Sequence, residues 1–171
     1  MKSETKTGLV VAVTVAALAI SGGAVFIGSG VYDIGADDHH TKFALAVIER
    51  LRDRSIEART RRVEVQTVSD PARIAAGAQR YAALCVTCHL APGVTKSDLR
   101  PGLYPHPPNL AQEEKQGEQR TFWIIKHGIK MSAMPAWGKT LDDAAIWDLV
   151  AFVRRLPEMS AETYAQLSNT R

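Results

Sequence analysis

The feature that most constrains this chain is a long uncharged stretch near its amino terminus. No Asp, Glu, Lys or Arg occurs at the 26 positions between Lys6 and Asp33. A helix needs about 20 apolar residues to cross the hydrocarbon core of a bilayer, since each residue adds about 1.5 Å. The run from Gly8 to Val31 satisfies that length. The sequence therefore predicts a transmembrane anchor over residues 8–32, with the lipid bilayer as its partner.

A cleaved secretory signal is the alternative interpretation of the same stretch. Lys2 and Lys6 supply a weakly basic start, and Leu9–Ile20 has the length of the apolar region of a signal peptide. The small residues at 21–24 resemble a cleavage site. Apolar residues nevertheless continue to Ile27, so a retained anchor is the preferred interpretation.

Residues 33–69 have the composition of a connector. Phe43, Val47 and Leu51 recur at four-residue spacing, which predicts an amphipathic helix over residues 43–62. Six arginines crowd the later half of that helix, and the alternating residues after it predict an extended linker. The helix is either a solvated spacer or a basic collar docked on lipid head groups or on a partner subunit.

Composition excludes several classes of protein. The chain has 46% apolar and 23% charged residues, which is ordinary for a globular protein and excludes disorder throughout. Two cysteines are too few for a disulfide-rich scaffold. A net charge of +3, dispersed along the chain, gives no reason to expect a nucleic-acid partner.

The strongest chemical signal is the C-x-x-C-H motif formed by Cys85, Cys88 and His89. Two thiols at this spacing can reach the two vinyl groups on one edge of a haem, and the next residue places an imidazole under the iron. A redox dithiol is disfavoured because no βαβ pattern surrounds the motif. A zinc site is disfavoured because no second cysteine pair is present. The motif predicts one covalent haem c, with His89 as the proximal axial ligand.

The motif also predicts the orientation of the chain. Covalent haem attachment belongs outside the bacterial cytoplasm, whereas the basic residues on either side of the apolar stretch are too evenly divided to decide. The residues after Asp33 are therefore expected in the periplasm and residues 1–7 in the cytoplasm. The predicted location is the bacterial inner membrane, with a single span.

From residue 70 onward, four local patterns occur in one order. A helix begins at a capping residue followed by proline, and a glycine and an aromatic residue precede the first cysteine at four-residue spacing. A proline-containing turn and a Met-Pro pair follow. These residues are Asp70, Pro71, Gly77, Tyr81, Cys85, Pro107, Pro108, Asn109, Leu110, Met134 and Pro135. In these features residues 70–157 resemble the class I c-type cytochromes.

The resemblance implies how the proximal histidine is held. In the family, a proline carbonyl accepts a hydrogen bond from the ring N–H of the haem-binding histidine, and such bonds fix the imidazole and raise its basicity. Here that proline is Pro108 and the histidine is His89. Tyr104 and Trp137 are candidate haem contacts.

The resemblance also implies a thioether as the second axial ligand. The family pattern is Met-Pro followed by a small residue and an aromatic residue. Met134 matches that pattern and Met131 does not, so Met134 is the preferred distal ligand and Met131 the less favoured one. His127 is a rival ligand that would give a lower reduction potential than methionine.

Further helices are predicted after the motif. Glu118–His127 reads as a helix ended by a glycine, and a capping-box-like start at Thr140 precedes a helix over Ala144–Leu156. A short helix over Ser160–Leu167 is predicted in the tail at residues 158–171. The expected fold is all-α: a transmembrane helix, a connector helix, and a small class I cytochrome c domain packed around one covalent haem.

The sequence predicts a one-electron carrier rather than an enzyme in its own right. It has no predicted catalytic residues, and its partners are electron donors and acceptors of respiratory or dehydrogenase systems, membrane-bound or periplasmic. The chain is either a shuttle or the electron-transfer subunit of an oxidoreductase complex. The alternatives are a peroxidase-like haem enzyme or gas sensor with a labile sixth ligand, and a largely structural haem subunit.

Overall fold

A computed structural model describes residues 2–169, with side chains from residue 5 onward. The chain divides into two compact units, Met1–Asp38 and His39–Arg171. Across residues 2–169 there are seven α-helices and no strand, so the all-α prediction is confirmed. The helices are α1 (Lys2–Ser29), α2 (Lys42–Thr60), α3 (Pro71–Leu84), α4 (Val86–His89), α5 (Glu118–His127), α6 (Asp143–Val153) and α7 (Ala161–Asn169).

The amino-terminal unit is dominated by α1. Its segment Thr5–Ser29 is 25 residues long and apolar enough to be a candidate single membrane span. Every described side chain of α1 is exposed. In an apolar helix of this length, such exposure is what a membrane-embedded segment requires, because lipid takes the place of a protein core.

The connector helix α2 is not a free spacer, because it packs against α5. Ile56 is only 2% exposed. The carboxylate of Asp53 accepts a hydrogen bond from the guanidinium of Arg120 at 2.9 Å, and the side-chain amide of Gln119 donates to the carbonyl oxygen of Val63 at 2.9 Å. The two interpretations of this helix from the sequence, a solvated spacer and a basic collar, did not include packing on α5. That packing depends on residues more than 50 positions away in the chain.

Helix α3 begins as its sequence predicts. The carboxylate of Asp70 accepts from the backbone N–H of Ala72 at 2.9 Å, and Pro71 occupies the first helical position, where a missing N–H costs no hydrogen bond. Arg80 of this helix donates to the Asp148 carboxylate of α6 at 2.9 Å. This ion pair joins the two helices beside their crossing.

The crossing of α3 and α6 is unusually close because Gly77 lies in it. A Cβ built on Gly77 would lie 2.0 Å from the carbonyl oxygen of Asp148 and 2.8 Å from the Cβ of Phe152. Neither distance is compatible with a side chain, so the position requires glycine. The ring of Tyr81, one turn later, packs against Phe152 with ring centroids 5.1 Å apart.

The start and end of α6 differ from the sequence prediction. The N-cap is Asp142, whose carboxylate accepts from the N–H of Ala145 at 2.8 Å, because the residues before it form a 3-10 turn over Trp137–Lys139 that is capped by Thr140. The helix ends at Val153 rather than at Leu156. Continuing it would place the ring of Pro157 against the carbonyl of Val153, so the chain changes to a 3-10 turn instead.

Helix α7 packs against α3. Tyr164 is 7% exposed and belongs to the apolar core, so this segment contributes to the packing of the domain. Phe122 of α5 stacks on Trp147 of α6 with ring centroids 4.5 Å apart. The core therefore joins α3, α5, α6 and α7. Its largest fully buried side chains are Trp147, Tyr81, Phe152, Ile146, Leu149, Leu156 and Val150.

Helix propensity predicts that Gly77→Ala stabilises the protein, whereas the close crossing predicts that it destabilises it. Gly77→Ala should stabilise an isolated helix by about 1 kcal/mol, but here its methyl group would meet backbone atoms that cannot move away. We expect a loss of roughly 3 kcal/mol or more in the free energy of unfolding, measured by denaturant titration. The control is Gly102→Ala, whose methyl group would meet nothing within 4 Å. A Gly77→Ala protein as stable as wild type would contradict the crossing.

Candidate haem-binding site

The C-x-x-C-H motif lies at the junction of α3 and the four-residue helix α4. Cys85 follows directly after α3, and the backbone N–H of His89 donates to the carbonyl oxygen of Cys85 at 2.9 Å. The chain then turns at Leu90, which has a φ of 57°. The hydroxyl of the buried Tyr81 donates to the carbonyl oxygen of Leu90 at 2.7 Å. The turn after the histidine is thus tied to the core helix α3.

The imidazole of His89 is held from the other side of the site. Its Nδ1 lies 2.9 Å from the carbonyl oxygen of Pro108. The N–H of Leu110 donates to the carbonyl oxygen of His89 at 3.1 Å, so the same turn is fastened to both the backbone and the ring. With Nδ1 donating to Pro108, Nε2 keeps its lone pair. A metal ligand needs that lone pair.

Burial favours the uncharged forms of the groups in the motif. Burial lowers the pKa of His89 and outweighs the opposing hydrogen bond to Pro108, while the nearby Arg100 lowers it further. Burial, together with Cys88, raises the pKa of the Cys85 thiol to about 12. A reactive redox dithiol needs a lowered thiol pKa, so the geometry does not favour thiol–disulfide chemistry.

A compact loop after α5 presents Met134. Gly128 has a φ of 63°, and a Cβ there would lie 2.6 Å from the carbonyl oxygen of Met134. That carbonyl accepts from the N–H of Ile129 at 3.2 Å. The hydroxyl of Ser132 donates to the carbonyl of Ile129 at 2.8 Å and accepts from the N–H of Met134 at 3.2 Å. The loop is therefore closed by hydrogen bonds on both sides of Met134.

The two methionines of this loop have different surroundings. Met131 is 95% exposed and has a φ of 59°. Met134 is half-buried and packs against the apolar core, as do Cys85 and Trp137. The structure thus brings Met134 and Trp137 to the same core as the motif and leaves Met131 in solvent.

Tyr104 and His127, also singled out in the sequence, make ring contacts with other residues. The ring of Tyr104 is half-buried and packs edge-on against the rings of His39 and His40, at centroid distances of 4.9 and 5.3 Å. His127 is exposed, and its ring packs against Trp123 with centroids 4.8 Å apart.

Sequence reasoning missed two residues in the loop between His89 and Pro108. Among the residues that the structure describes, two buried side-chain atoms have no hydrogen-bond partner. They are the Oγ of Ser97 and the Nε of Arg100. The guanidinium of Arg100 makes one contact, from its terminal nitrogen to the carbonyl oxygen of Pro107 at 2.8 Å. No spacing rule marks an arginine in a loop, so only the structure identifies it.

These residues fit a haem. The buried Nε of Arg100 and the buried hydroxyl of Ser97 need an acceptor, and a haem carries two carboxylates. The remaining groups are two thiols for covalent attachment, a neutral imidazole and a half-buried thioether, which is a donor set suited to haem iron.

Comparison with known proteins supports the same class. Residues 72–153, just under half of the chain, match the family model described as "Cytochrome C oxidase, cbb3-type, subunit III". No curated protein and no solved structure matches the chain. The matched segment contains Cys85, Cys88, His89 and Met134, together with most of α3 and all of α6.

The match and the helical fold agree with the resemblance seen in the sequence. A c-type cytochrome implies covalently bound haem c, and its electron-transfer role implies redox partner proteins. The chain therefore contains a class I c-type cytochrome domain, preceded by an apolar helix that is a candidate membrane span.

Proposed function

We propose that this chain is a membrane-anchored one-electron carrier with a single haem c. Cys85 and Cys88 would hold the haem covalently, with His89 and Met134 as its axial ligands. The observation that carries the proposal is the hydrogen bond from His89 to the Pro108 carbonyl, which supports a neutral imidazole with Nε2 available to iron. A haem held there would supply a one-electron couple at its iron.

The proposed mechanism requires a haem site with no coordination position open to a substrate. His89 and Met134 would both hold a haem here and leave no position for a substrate, so the group would supply a one-electron couple and nothing else. The loop around Met134 is braced by Ser132 and by the close approach of Gly128. A rigid ligand set requires little rearrangement when an electron arrives or leaves.

We propose that Arg100 and Ser97 bind a haem carboxylate. The Nε of Arg100 and the Oγ of Ser97 are buried donors that lack a partner within the described residues. Arg100 also lies close enough to His89 to lower the pKa of its imidazole. A carboxylate at this position would accept a hydrogen bond from the Nε of Arg100 and neutralise its half-buried guanidinium.

The proposed location is the bacterial inner membrane. Residues 8–32 would form a single span with residues 1–7 in the cytoplasm, because covalent haem attachment takes place on the periplasmic side. The connector over residues 33–69 would place the cytochrome domain, residues 70–157, at the periplasmic surface, followed by the tail at residues 158–171. The apolar helix Thr5–Ser29 supports the anchor.

The proposed partners are an electron donor and an electron acceptor of a respiratory or dehydrogenase system. The family whose model matches is named for a subunit of an oxidase, which supports the proposal that this chain works as the electron-transfer subunit of such a complex.

The ligand assignment predicts different effects for two methionines in one loop. Met134→Ala should abolish the methionine-to-iron charge-transfer band of the oxidised protein and lower the midpoint potential by on the order of 100 mV, because methionine ligation raises the potential. Met131→Ala is the matched control, since Met131 is 95% exposed, and should change neither. Near-infrared spectra and potentiometric titration check both. Loss of the band in Met131→Ala alone would contradict the assignment.

The proposed role of Arg100 predicts a shift in potential. A positive charge near the iron disfavours the ferric state, so Arg100→Gln should lower the midpoint potential by a few tens of millivolts, on the order of 1 kcal/mol at an effective dielectric constant of about 20. Arg100→Lys keeps the charge and should restore most of it. An Arg100→Gln protein that keeps the wild-type potential would contradict the placement of this charge beside the haem.

A further inference from the structure

Helix α2 has an apolar side chain on the face that packs against the rest of its unit. Ile56 is 2% exposed on that face, and Asp53 pairs with Arg120 of α5 at 2.9 Å. Leu45, three turns earlier on the same side, is half-buried. This face packs on α5 through Ile56 and Asp53.

A second apolar stripe lies on the opposite face of α2. Phe43, Val47 and Leu51 are 80%, 52% and 71% exposed. At 3.6 residues per turn these three side chains fall within an arc of about 80°, and the centre of that arc lies roughly opposite Ile56. Three large apolar side chains in one exposed row are costly in water, and nothing in the folding of this unit requires them there.

Basic residues border this stripe. Arg50 and Arg54 fall on the same side of the helix as Val47, and Arg61 follows at its end. Glu57, on the same side, is bound by Arg54 at 3.2 Å and by Arg61 at 3.8 Å. The side therefore carries excess positive charge beside an apolar row, a combination that favours contact with the head groups of an anionic bilayer.

The length of chain between α1 and α2 identifies a surface within reach. Helix α1 ends at Ser29 and α2 begins at Lys42, so twelve residues, 30–41, join them. An extended chain spans at most about 3.6 Å per residue, so α2 begins within about 45 Å of the end of the anchor. The lipid surface around an anchored chain is always within this distance, whereas a partner protein has to be recruited.

We propose that the stripe Phe43–Val47–Leu51 of α2 docks on the lipid surface, with the flanking arginines on anionic head groups. The inference rests on the membrane anchor of the proposed function. Because the opposite face of α2 is fixed to α5, docking of α2 restricts the orientation of the whole cytochrome domain at the bilayer. The connector thus acts as a support that limits which side of the domain meets its redox partners.

Spin labels at single cysteines test this directly. The full-length holoprotein is placed in vesicles of phosphatidylcholine and phosphatidylglycerol and studied in the reduced state. Labels are attached at Val47→Cys or Leu51→Cys on the stripe, at Glu49→Cys as the control on the same helix, and at Val15→Cys as the reference inside α1. Relaxation by oxygen reports lipid, and relaxation by a water-soluble nickel complex reports solvent. All four side chains are exposed, so the labels do not disturb packing.

We expect the ratio of oxygen to nickel accessibility to be several-fold higher at Val47 and Leu51 than at Glu49. Water-like accessibility on the stripe, with lipid-like accessibility at Val15, would overturn the inference and leave the anchor intact. Low accessibility to both reagents on the stripe would mean that protein covers it, such as a second copy of the chain, and would also overturn lipid docking. Water-like accessibility at Val15 itself would remove the anchor and the inference together.

Discussion

A hydrogen bond from the imidazole of His89 to the carbonyl oxygen of Pro108 joins the two segments on which the candidate site depends. One segment is the C-x-x-C-H helix at the end of α3, and the other is the turn that follows a long loop. The bond fixes the ring, selects the tautomer and directs the free nitrogen away from the backbone. Without this bond, the imidazole would lose the contact that sets its orientation and raises its basicity as a ligand.

The helices provide the frame for this bond. The close crossing at Gly77 brings α3 onto α6, and Tyr81 then ties the turn after His89 to that crossing. The loop of Met134, which follows α5, is braced by its own hydrogen bonds. Such a frame suits electron transfer, since a carrier works best when its ligand geometry changes little between oxidation states.

Local signals in the sequence predicted much of this arrangement. The caps, the helix ending at Gly128, and the spacing of Gly77, Tyr81 and Cys85 all depend on neighbours a few residues away, so they can be read from the chain. The docking of α2 on α5 depends on the ion pair between Asp53 and Arg120. The burial of the Nε of Arg100 depends on how a long loop folds. Neither the docking of α2 nor the placement of Arg100 is marked by a periodic pattern or a motif in the sequence. The start of α6 was misplaced because both Thr140 and Asp142 are capable caps, and only the preceding 3-10 turn decides between them.

The central claim is that both axial positions of the haem are closed by residues of this chain. Carbon monoxide binds ferrous haem only where an axial position is open or readily vacated, so its addition to the reduced full-length protein tests the claim most directly. The account predicts that the visible spectrum stays unchanged over minutes under saturating gas. Rapid conversion to a carbon monoxide complex would contradict it, because the site would then be open and the chain would belong with haem enzymes or gas sensors.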